Sequence, residues 1–171
     1  INTVALNGAG GVTLNGDIIT SSASGNSVTV TGPATLGANI TVNTAANITD
    51  GTGDVTFTSL IDATAAGAQS LTLTAGLGDV NLQGAVGATT RVGAFQVTSA
   101  AQTDLANVNA NSIAVTSTNT DLNGTAYTAA AGGDVTFTMV GSAGVYPKLA
   151  MEFLAAQNPK PRRVATITYD D

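Results

Sequence analysis

Apolar and polar residues alternate along most of this chain with a period of two. Val28-Thr29-Val30-Thr31, Val55-Thr56-Phe57-Thr58, Leu71-Thr72-Leu73-Thr74 and Val135-Thr136-Phe137-Thr138 each send two apolar side chains one way and two threonines the other. This is the pattern of a strand with one buried and one solvated face. The same pattern, bounded by Gly, Asn and Asp, predicts strands over residues 3–6, 12–14, 28–31, 40–43, 55–58, 71–74, 80–82, 95–98, 113–116 and 135–138. No stretch before residue 141 carries a helical period.

The connections are rich in Gly-Asp, Asn-Gly and Gly-Gly, which suit tight turns with positive φ. Near-copies recur at Gly53-Asp54-Val55-Thr56-Phe57, Gly78-Asp79-Val80-Asn81-Leu82 and Gly133-Asp134-Val135-Thr136-Phe137. Their spacing is irregular, as in a degenerate repeat. Many short strands with repeated turn chemistry predict a mainly β chain. A right-handed parallel β-helix is the preferred solenoid-like body, with a Greek-key β-sandwich as the alternative.

The text changes near residue 141. Four of the five basic residues and three of the four prolines lie beyond it. Pro147 suits the first position of a helix, and Asn158-Pro159 suits its end. Leu149, Phe153 and Leu154 then share one helical face, a candidate interface. Val164, Ala165, Thr166, Ile167, Thr168 and Tyr169 follow as a strand. The expected organisation is a β-strand-repeat body over 1–140 and a helix–strand appendage over 141–171.

Composition narrows the chemistry. Charged residues are 9% of the 171, against roughly a quarter in typical soluble domains. The net charge is −6, divided between −7 over residues 1–147, where Arg91 is the one basic residue, and +1 over the rest. Such a body is a poor partner for nucleic acid, which needs clustered Lys and Arg. The absence of Cys and His removes disulfides, thiolate chemistry, the usual zinc ligands and His-dependent triads. No run predicts membrane insertion. The first residue is Ile1, so a processed product or an excerpt of a longer chain is expected.

Few residues offer catalysis. Asp17, Asp54, Asp79 and Asp134 each follow glycine, a setting in which turn aspartates can serve as calcium ligands. Calcium needs six to eight converging oxygens, however, and bonding to the turn backbone is the simpler reading. Paired carboxylates for polysaccharide cleavage are scarce, with Glu152 and scattered Asp residues as the material. No catalytic, cofactor or metal residue is assigned, and no enzyme activity is expected. The Thr-x-Thr pairs read as ordinary solvent faces. Lys160, Arg162 and Arg163 form a candidate basic patch.

Two resemblances follow from these texts. Residues 34–138, with Leu36-Gly37-Ala38-Asn39-Ile40-Thr41-Val42, Gly53-Asp54-Val55-Thr56-Phe57-Thr58 and Ser70-Leu71-Thr72-Leu73-Thr74, resemble the β-strand repeats of filamentous-haemagglutinin-like surface adhesins. That resemblance implies a secreted stalk or adhesin and transfers no catalytic residue. Residues 146–169, with Gln157-Asn158-Pro159-Lys160-Pro161, resemble a segment of contractile phage tail-sheath-like proteins, which implies a virion or injection-apparatus subunit. The combined expectation is an extracellular structural module without cofactors. Its expected partner is itself, through strand edges at Thr3, Val4, Ala5 and Leu6 and at 164–169, with a host surface or polysaccharide as a possible further partner. A virion location is the alternative, and a polysaccharide-active enzyme the least favoured.

Overall fold

The computed structural model describes residues 3–20, 25–46 and 51–140. Among them the chain forms strands and no helix. In order these are β1 (Val4–Asn7), β2 (Val12–Leu14), β3 (Ile18–Ile19), β4 (Val28–Thr31), β5 (Ala34–Leu36), β6 (Ile40–Asn43), β7 (Val55–Phe57) and β8 (Ile61–Ala63). They continue with β9 (Leu71–Thr74), β10 (Val80–Leu82), β11 (Val92–Ser99), β12 (Gln102–Leu105), β13 (Val108–Ser117), β14 (Asn119–Leu122), β15 (Tyr127–Ala129) and β16 (Val135–Met139). The expected C-terminal helix and strand, with the whole of 141–171, lie outside the described residues.

Three sheets result. One runs β1-β4-β7-β10-β12-β14, a second β2-β5-β8, and a third β3-β6-β9-β11-β13, where β13 pairs both β15 and β16. Every pairing is parallel. The protein is therefore mainly β with parallel sheets. Greek-key sandwiches are built from antiparallel strands, and the described residues contain no antiparallel pair, so that alternative is set aside. The bridges Ile61↔Val86 and Val86↔Val108 carry the second sheet on to β13.

Register explains why the alternation is so regular. Partners align apolar on apolar, giving the columns Leu6–Val30–Phe57–Leu82–Leu105–Leu122 and Ile40–Leu71–Phe95–Ile113–Val135. Val30, Phe57, Leu82, Leu105, Leu71, Phe95 and Ile113 are all buried. Burying each such side chain contributes about 1.5–3 kcal/mol, and a one-residue slip would turn a whole column outward. The intervening threonines, such as Thr29, Thr56 and Thr72, face away from the core and are half-exposed.

The repeated Gly-Asp-Val text now has a physical reason. A Cβ on Gly53 would collide with the carbonyl oxygen of Asn26, on Gly78 with that of Gly53, and on Gly133 with that of Asn111. Each glycine lets one pass of chain lie directly on the pass before it. The three copies serve two different sheets, since Val55 and Val80 belong to the first and Val135 to the third.

Candidate assembly edges

One of the two strand edges marked in the sequence, Thr3–Leu6, lies among the described residues. Among the described residues β1, which holds Val4, Ala5 and Leu6, is the terminal strand of the first sheet and pairs with β4 alone. Thr3 lies just before it and is exposed. The Val4 and Gly8 N–H groups donate to the Ser27 and Thr31 carbonyls at 2.9 and 3.0 Å. By strand alternation, the Ala5 N–H points away from β4, toward the open side. Val4 and Leu6 occupy core-facing positions above Val28 and Val30, yet remain half-buried, and among the described residues no strand covers them.

β2 and β3 end their sheets on the same side, with Val12 and Ile18 also half-buried against the core. The sequence reading had the first of these strands but did not mark either as an edge. The available signal was the Ile18-Ile19 pair between two polar runs, too short to show a period. At the opposite end, β14, β15 and β16 are terminal, and Leu122, Val135 and Phe137 are the half-buried core positions. The second candidate edge (164–169), the helix face of Leu149, Phe153 and Leu154, and the basic patch of Lys160, Arg162 and Arg163 all fall outside the described residues.

The turn aspartates do something the sequence reading missed. They do bond backbone, but across successive passes of chain and not within their own turn. Ser27 Oγ accepts from the Asp54 N–H at 3.0 Å, Asp54 Oδ1 from Asp79 at 2.9 Å, and Asp79 Oδ1 from Gln102 at 3.1 Å. Asp17 Oδ1 takes the Thr41 N–H at 2.7 Å, and Asp62 Oδ1 takes those of Thr89 and Thr90 at 3.0 Å. The partners stand 23 to 28 residues away in sequence. Asp134 is exposed. Among the described residues no group of three or more acidic side chains gathers as a metal site would require.

The Thr-x-Thr pairs are divided between sheets. Thr29 and Thr56 align in the first; Thr72 with Thr74, and Thr136 with Thr138, belong to the third, where Gln96 and Ala114 stand between them. Within the third sheet the Thr74 and Thr98 hydroxyls share a 2.6 Å hydrogen bond.

A cleft of about 310 Å³ lies where the second sheet narrows to single bridges. It is lined by residues including Val86, Gly87, Asn107, Val108 and Asn109. Its side chains are aliphatic, amide or hydroxyl, with no group that titrates near neutral pH. Nearby, Tyr127 donates its phenol to the Leu105 carbonyl at 2.8 Å and accepts from the Gly124 N–H at 2.9 Å. Burial pushes the Tyr127 phenol above its ordinary value of 10.0, and the Gly124 N–H partly offsets this. No helix among the described residues is long and apolar enough to cross a membrane.

Comparison of the chain with protein-family models, with curated proteins and with solved structures found no match.

Proposed function

We propose that this chain is a non-enzymatic, extracellular structural module of the adhesin or fibre-forming kind. Its body is a right-handed parallel β-helix, and it associates with further copies through strand edges. The observation that carries this reading is the end of the stack at β1. There the outward N–H of Ala5 and the half-buried Val4 and Leu6 sit together on a strand with one neighbour among the described residues. Unpaired backbone groups beside uncovered apolar side chains are what strand addition uses. The parallel stacking and the resemblance of residues 34–138 to filamentous-haemagglutinin-like repeats support the same reading. The scarcity of acid–base groups supports a structural role over a catalytic one.

A second reading, a virion tail or injection-apparatus subunit, draws on the Gln157-Asn158-Pro159-Lys160-Pro161 text. Both readings make the chain an assembly subunit.

Negative-stain electron microscopy at micromolar concentration tests the assembly. Regular fibres or tubes are expected from the full chain. Ala5→Pro removes only an outward N–H, because the ladder to β4 uses Val4 and Gly8. It should therefore shorten or abolish the fibres without changing the β signature in circular dichroism. Deleting residues 164–171 tests the other edge. Isolated single-mass particles from the full chain would overturn the proposal.

A further inference from the structure

The same three residues, Leu-Asn-Gly, occur at Leu6-Asn7-Gly8, Leu14-Asn15-Gly16 and Leu122-Asn123-Gly124. Asparagine before glycine is chemically labile. Glycine has no side chain to crowd the approach, so its backbone nitrogen can attack the asparagine amide carbon. The attack needs an N–H that is free to lose its proton to solvent, and room for the nitrogen to swing toward the side chain. The fold treats the three copies differently.

Two are locked. The Gly8 N–H donates to the Thr31 carbonyl at 3.0 Å, and a Cβ on Gly8 would collide with the Gly11 carbonyl oxygen. The Gly124 N–H is shared between the Leu105 carbonyl at 3.1 Å and the Tyr127 hydroxyl at 2.9 Å, and Gly124 is packed against Asn107. The third copy is open. Asn15 and Gly16 connect β2 to β3, and both are exposed. Neither the Gly16 N–H nor the Asn15 amide has a hydrogen-bond partner among the described residues. Nothing lies within 4 Å of the place a Gly16 Cβ would take.

We propose that Asn15 is a site of self-modification, converted from amide to acid with water as the reagent. The Gly16 nitrogen gives its proton to a base in the solvent and bonds to Asn15 Cγ. The Cγ–Nδ2 bond breaks, and Nδ2 takes up a proton and leaves as ammonia. Water then opens the resulting succinimide ring at either carbonyl. One opening leaves aspartate at position 15. The other leaves isoaspartate, in which the backbone runs through the side chain and is longer by a methylene. The net change consumes one water, releases one ammonia and adds one negative charge.

The position gives this change a consequence. Asp17, in the same turn, accepts the Thr41 N–H at 2.7 Å and so ties the first pass of chain to the second. A longer backbone in that turn displaces Asp17, and a new carboxylate beside it repels its charge. The first layer, which carries the terminal strands β2 and β3, therefore loosens as the protein ages. Any effect on assembly rests on the proposed function; the chemistry and the Thr41 contact do not.

The test incubates the full chain at mildly alkaline pH, in native buffer and in denaturing urea. Mass spectrometry with electron-transfer fragmentation locates the change at each asparagine and separates aspartate from isoaspartate. In urea the three copies should convert at comparable rates, because their local sequence is the same. In the folded chain Asn15 should convert at least about tenfold faster than Asn7 and Asn123, which must first open locally. Equal folded rates at the three sites, or an Asn15 that converts in urea and stays amide in the fold, would overturn the proposal. Hydrogen exchange reads the consequence. The Thr41 amide should exchange faster in aged protein than in fresh. Asn15→Gln, whose longer side chain closes the ring far less readily, should hold its Thr41 exchange constant. If exchange rose equally in that variant, or rose in neither, the loosening would be refuted. Neither readout involves association, so a chain that stays monomeric leaves both intact.

Discussion

Thr103 is a polar residue in an apolar column, and replacing it should strengthen the fold. It stands on Val80, in the column Val4–Val28–Val55–Val80–Thr103–Thr120, and is 0% exposed. Its Oγ1 has no hydrogen-bond partner among the described residues. The nearest candidate in the column, the Thr120 hydroxyl, is engaged with Ser117 Oγ at 2.6 Å. A buried hydroxyl left unpaired costs about 1–3 kcal/mol. Thr103→Val keeps the shape, places a methyl where the oxygen was and restores the valine of the four rungs below. The expected gain is about 1 kcal/mol, at the low end because the added methyl must settle among fixed neighbours. For a chain of this size that raises the melting temperature by about 2–4 °C. Urea unfolding of both proteins, with a common slope, measures it directly. Thr13→Val on the exposed face of β2 is the control and should move stability by no more than about 0.5 kcal/mol. A loss of stability in Thr103→Val would mean that the hydroxyl has a partner, and the reasoning would fail.

Position along one column sets the size of the next effect. Leu82→Ala, at 2% exposure in the middle, should cost about 2–5 kcal/mol, whereas Leu6→Ala at the half-buried end should cost about 1 kcal/mol in the dispersed chain. Denaturant midpoints compare the two, and equal losses would refute the stacking logic. Asp79→Ala deprives the Gln102 N–H of its acceptor and should cost about 1 kcal/mol, while Asp79→Asn keeps an acceptor oxygen and should fall within about 0.5 kcal/mol of the parent. If both lost equally, charge and not hydrogen bonding would be the contribution. Tyr127 has a folded pKa above its unfolded value of about 10. Its stabilisation is therefore complete below pH 10 and is lost as pH rises through the folded value. Stability curves of the parent and Tyr127→Phe, measured from pH 8 to alkaline unfolding, should converge as pH rises. Parallel curves would contradict this.

Each of the ten strands expected before residue 141 coincides with or overlaps an observed one. Leu71–Thr74 and Val80–Leu82 match residue for residue, because each has bulky apolar side chains two apart with a polar residue between. The strands not foreseen lack that contrast. β5 and β8 put alanine at an inward position, as Ala34 and Ala63, so part of the buried face is too small to register as hydrophobic. β12 buries Thr103 and β14 begins Asn-Thr-Asp, so their composition reads as turn. Register, and with it the edges at β2, β3 and the carboxy-terminal end of the stack, was hidden for another reason. It depends on which pass lies on which, and unequal loops let the same Gly-Asp-Val text serve different sheets. The aspartate bonds between passes were likewise invisible, since a residue's own turn is the nearer partner in sequence.

Those bonds all point one way. Ser27, Asp54 and Asp79 each hold out an oxygen to an N–H that arrives later in the chain. When such a chain emerges amino-terminus first, from a ribosome or through a pore, each finished layer already displays the acceptors that orient the next. Folding can then proceed as templated growth in step with emergence, with no need for the far end to be present.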